Sequence, residues 1–374
     1  MPYGTLNVDK IVNDNGVTFA GLYGFKNRII NGAMVIDQRN AGASVSTASG
    51  SLVYAVDRWR ATYTQTSKFT IQQNAGSVTP PSGYSNYLGV TSSSAYTVLA
   101  TDFFFVNQRI EGFNVSDLGW GTANAQSVTL SFWVRSSLTG TFGGAVRNAA
   151  NNRSYPFSYT ISAANTWEQK SLTISGDTSG TWLTDNGIGI DLSFSLGVGS
   201  SGSGVANSWS GSALYAPTGA TSVVGTNGAT FYITGVQLER GSTATSFDFR
   251  PYGTELMLCM RYYYRRNYDQ TTNDLVATFH AYSSGGAWGK IIDLPVEMRA
   301  TPTGSLSSIG HFRPTNSTGS NQAAFTAGTL AGQGTSKSQL TTAGWSGSSG
   351  LTAGNATVIT TNTASAWIDA SAEL

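Results

Sequence analysis

From about Asn27 to Asp248 hydrophobic and polar positions alternate at period two, interrupted by short runs of Gly, Ser, Asn and Asp. In Ser127–Ser136, Val128, Leu130, Phe132 and Val134 share one face, while Thr129, Ser131, Trp133 and Arg135 share the other. Gly187–Val198 repeats the pattern with Ile188, Ile190, Leu192, Phe194, Leu196 and Val198, and shorter examples occur in Leu172–Ile174 and Phe231–Leu238. One-sided alternation with frequent turns predicts an antiparallel sandwich, not a parallel sheet clothed in helices. Gly197–Gly228, which holds Gly-Ser-Ser-Gly-Ser-Gly, reads as a long surface loop.

The flanks read differently. Thr5–Val12 alternates, Asn13-Asp-Asn-Gly16 supplies a turn, and Val17–Phe19 can return as a second strand. Such a ribbon is marginal alone and needs a partner surface; a frayed terminus is the alternative. Thr254–Arg261 is the one helix the pattern predicts: Pro251 and Gly253 precede it, Thr254 can cap it, and Glu255 favours the positive end of the dipole. Two turns need tertiary packing to persist. Tyr262–Tyr264 then opens a second small β domain with strands at Asp274–Ala281, Gly289–Val296 and Ala356–Ile359, and residues 315–355 are expected to be loops. The expected organisation is a segment over 1–22, a sandwich over 23–250, and a C-terminal β domain over 251–374 opened by the short helix.

Composition narrows the function. The 21 Lys and Arg against 20 Asp and Glu leave a net charge of +1, without the basic excess a nucleic-acid partner demands. The hydrophobic share of 40% is enough for real cores, unlike a disordered chain. No stretch approaches the roughly 20 apolar residues of a membrane helix, and the start lacks the basic and apolar pattern of a secretory signal, so cytoplasmic synthesis without membrane insertion is expected. A lone cysteine, Cys259, and two histidines, His280 and His311, give no basis for a disulfide, a zinc cluster or another metal site, and no cofactor motif is present.

No nucleophile elbow, zinc-protease motif or P-loop occurs. Arg261-Tyr-Tyr-Tyr-Arg-Arg266 reads as a strand with tyrosines inward and arginines outward, rather than a stacking platform for nucleic acid. Glycoside cleavage would need a pair of carboxyl groups; Asp177, Asp185, Asp191 and Glu168 are available, but no pair is assigned a catalytic role. Sugar binding asks only for aromatic rings against pyranose C–H faces and polar groups for the hydroxyls. Trp133 and Arg135 lie on the polar face of their strand, with Trp167 and Gln169, and Trp182 and Asp185, in neighbouring segments. These six are the candidate glycan-binding residues; the alternative is that the tryptophans pack under loops or against a second subunit.

Asn27-Arg-Ile-Ile-Asn-Gly-Ala-Met34, Asp37-Gln-Arg39 and Val56-Asp-Arg-Trp59 resemble the start of a β-sandwich module of tailed-bacteriophage tail-fibre and related virion proteins. Gly235–Gly241, Ala244–Arg250 and Glu255–Tyr263 are similar to its end, and Leu294–Pro302 and Ile368–Leu374 are similar to the C-terminal domain that follows it. The opening Pro2–Asp9 resembles virion-attachment segments. The resemblance implies an all-β protein, a jelly-roll module akin to carbohydrate-binding modules, on a virion appendage that is usually a homotrimer. Its expected partners are its own copies, other virion proteins through the N-terminal segment, and host cell-surface polysaccharide. An architectural head-fibre, adaptor or decoration protein is the alternative, and a polysaccharide-cleaving tailspike a further one. Relatives often hold a structural calcium through an Asp in the final strand, where this chain has Thr234. The Phe132–Arg135 stretch is also typical of the module itself, which favours a structural role for Trp133. Leu256, Met257, Met260 and Tyr263 are the expected oligomer contacts, since three copies about an axis would bury side chains that one chain leaves bare.

Overall fold

The computed structural model describes residues 25–268, 273–316, 318–330, 335–341 and 344–374; the expected ribbon over 1–22 lies outside them. The described chain is nearly all β. Its first part supplies β1 (Val45–Ser46), β2 (Leu52–Val56), β3 (Trp59–Tyr63), β4 (Phe69–Gln73), β5 (Leu88–Ser92), β6 (Phe103–Glu111), β7 (Val128–Ser136), β8 (Gly140–Arg147), β9 (Ser154–Ile161), β10 (Glu168–Ile174), β11 (Ile188–Val198), β12 (Ser203–Gly204), β13 (Ala216–Pro217) and β14 (Thr230–Arg240). Two six-stranded sheets result, ordered β1-β4-β5-β14-β7-β10 and β2-β3-β6-β11-β8-β9. Each late, long strand is inserted between earlier ones, β14 between β5 and β7 and β11 between β6 and β8, with every pairing antiparallel. This is a jelly-roll-type sandwich.

The alternation read from β7 and β11 decides which face meets the core. Val128, Leu130, Phe132 and Val134 are buried, as are Ile190, Leu192, Phe194 and Leu196. Phe132 meets Phe194 edge to face at 5.0 Å, and Phe194 meets Phe157 at 5.9 Å and Trp59 at 6.3 Å. Burying each such ring contributes about 1.5–3 kcal/mol, as does each of the aliphatic side chains packed around them. Partway along β14 the register slips between Thr234 and Gln237. Gly235 sits there at φ +60°, and a Cβ would fall 2.6 Å from the Tyr84 hydroxyl. Only glycine permits this bulge with a ring laid over it.

Gly197–Gly228 is more than a surface loop. It folds back so that β12 and β13 form a short parallel pair, and it lays Tyr215 on Phe103 and Phe105 of β6.

The helix α1 (Tyr252–Met260) begins two residues earlier than the pattern predicts. Pro251 holds the cap position with no side-chain cap, and its carbonyl accepts from Glu255 N–H, so Thr254 lies inside the first turn. Beyond it come β15 (Tyr263–Tyr268), β16 (Leu275–Ser283), β17 (Gly286–Trp288), β18 (Lys290–Asp293), β19 (Thr303–Leu306), β20 (Phe312–Thr315), β21 (Gln339–Thr341), β22 (Ala356–Thr361) and β23 (Ala366–Ser371). They make sheets β15-β23-β19, β17-β16-β22-β20 and β18-β21 around a second core, where Trp345 touches Phe279, Phe312 and Phe325. The expected loop region 315–355 therefore holds the strand β21 and the buried Trp345, whose indole N–H donates to Thr329.

The two cores meet through a polar junction. Arg261 donates to both oxygens of Glu111 (2.9 and 2.6 Å), and Tyr262 donates to the same carboxylate at 2.6 Å. Arg39 pairs with Glu373 at 3.0 Å and Asp57 at 3.3 Å, and Arg58 also pairs with Glu373. Burial outweighs the pull of Arg39 on Asp57 and raises its pKa to about 6. Beside these pairs a small apolar cluster of Ile30, Ile36, Cys259 and Tyr262 seats α1.

Candidate functional site

The outer faces of the two sandwich sheets carry the polar and aromatic residues that could meet a ligand. On the first sheet, strand pairing places Trp133 of β7 directly between Gln169 of β10 and Thr234 of β14. One step along, Arg135 lies opposite Tyr232, with its guanidinium 5.4 Å from the centre of that ring and its Nε donating to the Asn165 carbonyl at 2.9 Å. Trp167, just before β10, packs against Tyr87 at 5.5 Å and Tyr232 at 6.5 Å and donates to the Thr79 carbonyl. Four of the six predicted glycan residues, Trp133, Arg135, Trp167 and Gln169, thus share one surface. Tyr87 and Tyr232 lie beneath this surface, buried, and support the Trp167 ring instead of meeting solvent.

Six of the nine tryptophans satisfy their indole N–H inside the chain, while Trp133, with the exposed Trp288 and the half-buried Trp367 of the C-terminal part, does not among the described residues. The indole N–H groups of Trp59, Trp120, Trp167, Trp182, Trp209 and Trp345 each donate within the chain. The half-buried Trp133 ring has no acceptor for its N–H among the described residues, and Gln169 opposite it is exposed. A buried indole normally finds a partner; one left open beside an exposed amide can take a ligand hydroxyl.

The other two predicted residues stand elsewhere. Trp182 is only 9% exposed and packs edge-on to Trp120 at 4.7 Å and Trp209 at 5.5 Å, with its N–H on Asp177 and Ser179. It belongs to the hydrophobic end of the core. Asp185 sits in the turn before β11, where it accepts from Gly187 N–H at 2.8 Å.

The outer face of the second sheet is chemically richer and closed. Asp191 of β11 lies opposite Arg109 and Arg147, 3.3 Å and 3.1 Å from them and 4.0 Å from Arg60, and accepts from Asn107 at 2.7 Å. Burial would raise its pKa, but the three guanidinium groups outweigh that and hold it below the usual carboxylate range. Arg147 in turn sits 4.4 Å over Tyr215, which stacks on Phe105 at 5.4 Å and Phe103 at 4.9 Å. The chain fills this face with its own side chains.

The carboxylates considered for glycoside cleavage are engaged in the same way. Arg153 grips Asp177 with two bonds of 2.7 and 2.6 Å. The hydrogen bond from Lys170 holds Glu168 below its ordinary pKa. A general acid needs the opposite, a carboxyl raised towards neutrality. Thr234, near where the resemblance leads one to expect a calcium-binding Asp, is fully buried and donates to the Asn86 carbonyl at 2.7 Å; this arrangement does not fit a calcium ligand.

The expected oligomer contacts also divide. Met257 is 54% exposed and Met260 and Leu256 are half-buried, Leu256 partly against the α1 seat. Tyr263 is buried within its own chain: its hydroxyl donates to Asp369 at 2.7 Å and Arg39 lies 3.5 Å over its ring. It is a junction residue, because β15 pairs with β23 and turns that ring inward. Sequence reasoning passed over an exposed group on the C-terminal domain, Trp288 (55% exposed) paired across β16–β17 with His280 and near the exposed Tyr282.

No protein-family model and no curated protein matches the chain. Among solved structures, the enzymatically active domain of tailspike protein 4 of bacteriophage CBA120 is similar at 14% identity and TM-score 0.30, over 53% of this chain and 21% of that one. A family 4 carbohydrate-binding module is similar at 15% identity and TM-score 0.29, over 56% of this chain and 98% of that one. A family 11 carbohydrate-binding module of a Clostridium thermocellum cellulosomal cellulase is similar at 10% identity and TM-score 0.26, over 55% and 98%. At scores this low the likenesses decide nothing about the site.

Proposed function

We propose that the chain is a non-enzymatic virion protein of the tail-fibre or receptor-binding kind, which adheres to host surface glycans through the outer face of its first sandwich sheet. The observation that carries glycan binding is the open indole of Trp133 between the exposed Gln169 and the Arg135–Tyr232–Trp167 group. An aromatic face with amide and guanidinium donors beside it suits a sugar ring. The virion assignment is supported by the order of the motifs from Asn27 to Leu374. Self-association, as a homotrimer, is supported by the bare apolar side chains around α1, Tyr252 at 64% and Met257 at 54% exposure; three weak sites held together adhere far better than one.

The test is retention of fluorescently labelled protein on a panel of host cells and their isolated polysaccharides, with released reducing ends assayed in the same supernatants. Wild type should be retained without sugar release. Trp133→Ala should lose retention while keeping its oligomeric state by light scattering. Loss of the oligomer or fold in that variant would favour the architectural reading, in which the ring serves subunit contacts; sugar release would revive the tailspike.

A further inference from the structure

A second concave site lies away from the Trp133 face, where the strap after β14 crosses the start of the sandwich. Here a cavity of about 210 Å³ is lined by Tyr84, Phe247, Asp248, Phe249, Arg250 and Asn27 among others. Its aromatic side is continuous: Tyr84 meets Phe247 at 5.4 Å and Phe249 at 5.3 Å, and the two phenylalanines meet at 4.7 Å. Phe249 is nevertheless 58% exposed. An aromatic ring held in a cluster yet open to water presents a stacking face.

The polar groups around it are unevenly satisfied. Both terminal nitrogens of Arg250 are engaged, donating to the Ile29 carbonyl at 3.1 Å, to the Asn27 carbonyl, and to both oxygens of Glu255 at 3.3 and 3.2 Å. Glu255 also accepts from the Asn31 N–H. That pair is a closed structural unit. Asp248 is different: one oxygen accepts a long 3.4 Å contact from Asn27 N–H, and the other has no partner among the described residues. The Tyr84 hydroxyl likewise donates to no described residue, and burial pushes its pKa up to about 12, so it stays a proton donor. Two glycines allow close packing at the cavity's floor. Gly235 lets Tyr84 lie over the bulge, and beside it a Cβ on Gly32 would fall 2.2 Å from the Val236 carbonyl.

We infer that this cavity binds one neutral pyranose ring, with its apolar C–H face on Phe249 and Tyr84 and its hydroxyls shared between the Asp248 carboxylate and the Tyr84 phenol. The volume is below the roughly 300 Å³ at which drug-sized sites begin, so a single ring is the right scale. The inference builds on the glycan-adhesin reading and gives the sandwich a second subsite that makes no use of Trp133.

The experiment is saturation-transfer NMR on the full chain with methyl β-glucoside, methyl β-galactoside, methyl α-mannoside and N-acetylglucosamine, each titrated separately. At least one should show transfer to wild type and to Trp133→Ala with the same Kd. The Kd should rise at least tenfold in Phe249→Ala and in Asp248→Asn, and severalfold in Tyr84→Phe. Should Phe249→Ala prove misfolded by circular dichroism, the other two variants, which keep the pocket's shape, decide. No binding of any of the four sugars, binding indifferent to the pocket variants, or tetramethylammonium bound in their place would each overturn the inference. Because the adhesin reading is tested by polysaccharide retention in Trp133→Ala, the two can fail separately.

Discussion

The two outer faces of the sandwich are built from the same residue classes and end in opposite states. On the second sheet, Asp191, Arg60, Arg147 and Asn107 are almost wholly buried and their charged groups pair with one another, under a lid of Tyr215, Phe103 and Phe105. On the first, Trp133 and Arg135 keep polar groups unclaimed, and Gln169 stands in solvent. Aromatic rings next to charged and amide groups are therefore no signature of a binding face by themselves. What separates the faces is whether the chain supplies its own partners.

The largest effect should come from opening the closed face. Asp191→Ala leaves Arg60 and Arg147 buried without their counter-charge, and breaking a buried pair this way costs about 3–5 kcal/mol; urea unfolding should show the loss, with glycan retention falling only as far as the folded fraction falls. A smaller change is expected at the junction. The Asp57 carboxyl has a folded pKa of about 6 against an ordinary 3.8, so the folded state binds a proton that the unfolded state has released. Stability from this group is present below pH 4 and lost as pH rises through 6, by about 3 kcal/mol at most at 1.36 kcal/mol per unit. Asp57→Asn should remove that slope, so its melting temperature relative to wild type should climb between pH 4 and pH 7. Smaller again, Tyr215→Ala should remove two ring stacks of about 0.5–1.5 kcal/mol each. The open face should give the least: Trp133→Ala should change stability by no more than about 1 kcal/mol while abolishing retention. If Trp133→Ala proved as destabilising as Asp191→Ala, the contrast between the faces would be lost.

Much of the sandwich was legible because its strands are long and alternate apolar and polar side chains, even where, as in β11, the polar side is buried too. In β7 and β11 the inward set follows directly from alternation, and the core observed there is the one that pattern predicts. The short strands β19, β20 and β23 of the C-terminal part carry no comparable run; Gly304 and Pro314 interrupt two of them, and their pairing is fixed by partners far away in sequence. The site was half legible for the same reason. Trp133 and Gln169 share a face by simple parity, and Arg135 follows at the next outward position. Trp182 lies in an irregular loop, where parity says nothing, and the fold turned it into the core. Tyr263 turns inward as the tyrosine run predicts, but its partners Asp369 and Arg39 belong to its own chain, which no local pattern shows. The Tyr84–Phe247–Phe249 cavity was invisible because it joins loops some 160 residues apart through a bulge whose only mark in the sequence is Gly235.

The junction between the two cores has a mechanical side. Its contacts come from four stretches of chain: Gln38, Arg39, Asp57 and Arg58 near the beginning of the described residues, Glu111 at the end of β6, Arg261–Arg265 after the helix, and Asp369–Leu374 at the far end. A pull that drags the C-terminal sheets away from the sandwich would load these guanidinium–carboxylate pairs side by side and strain them together, instead of unzipping them one after another. Parallel loading of that kind makes a stiff coupling that yields abruptly, suited to passing force from one module to the next.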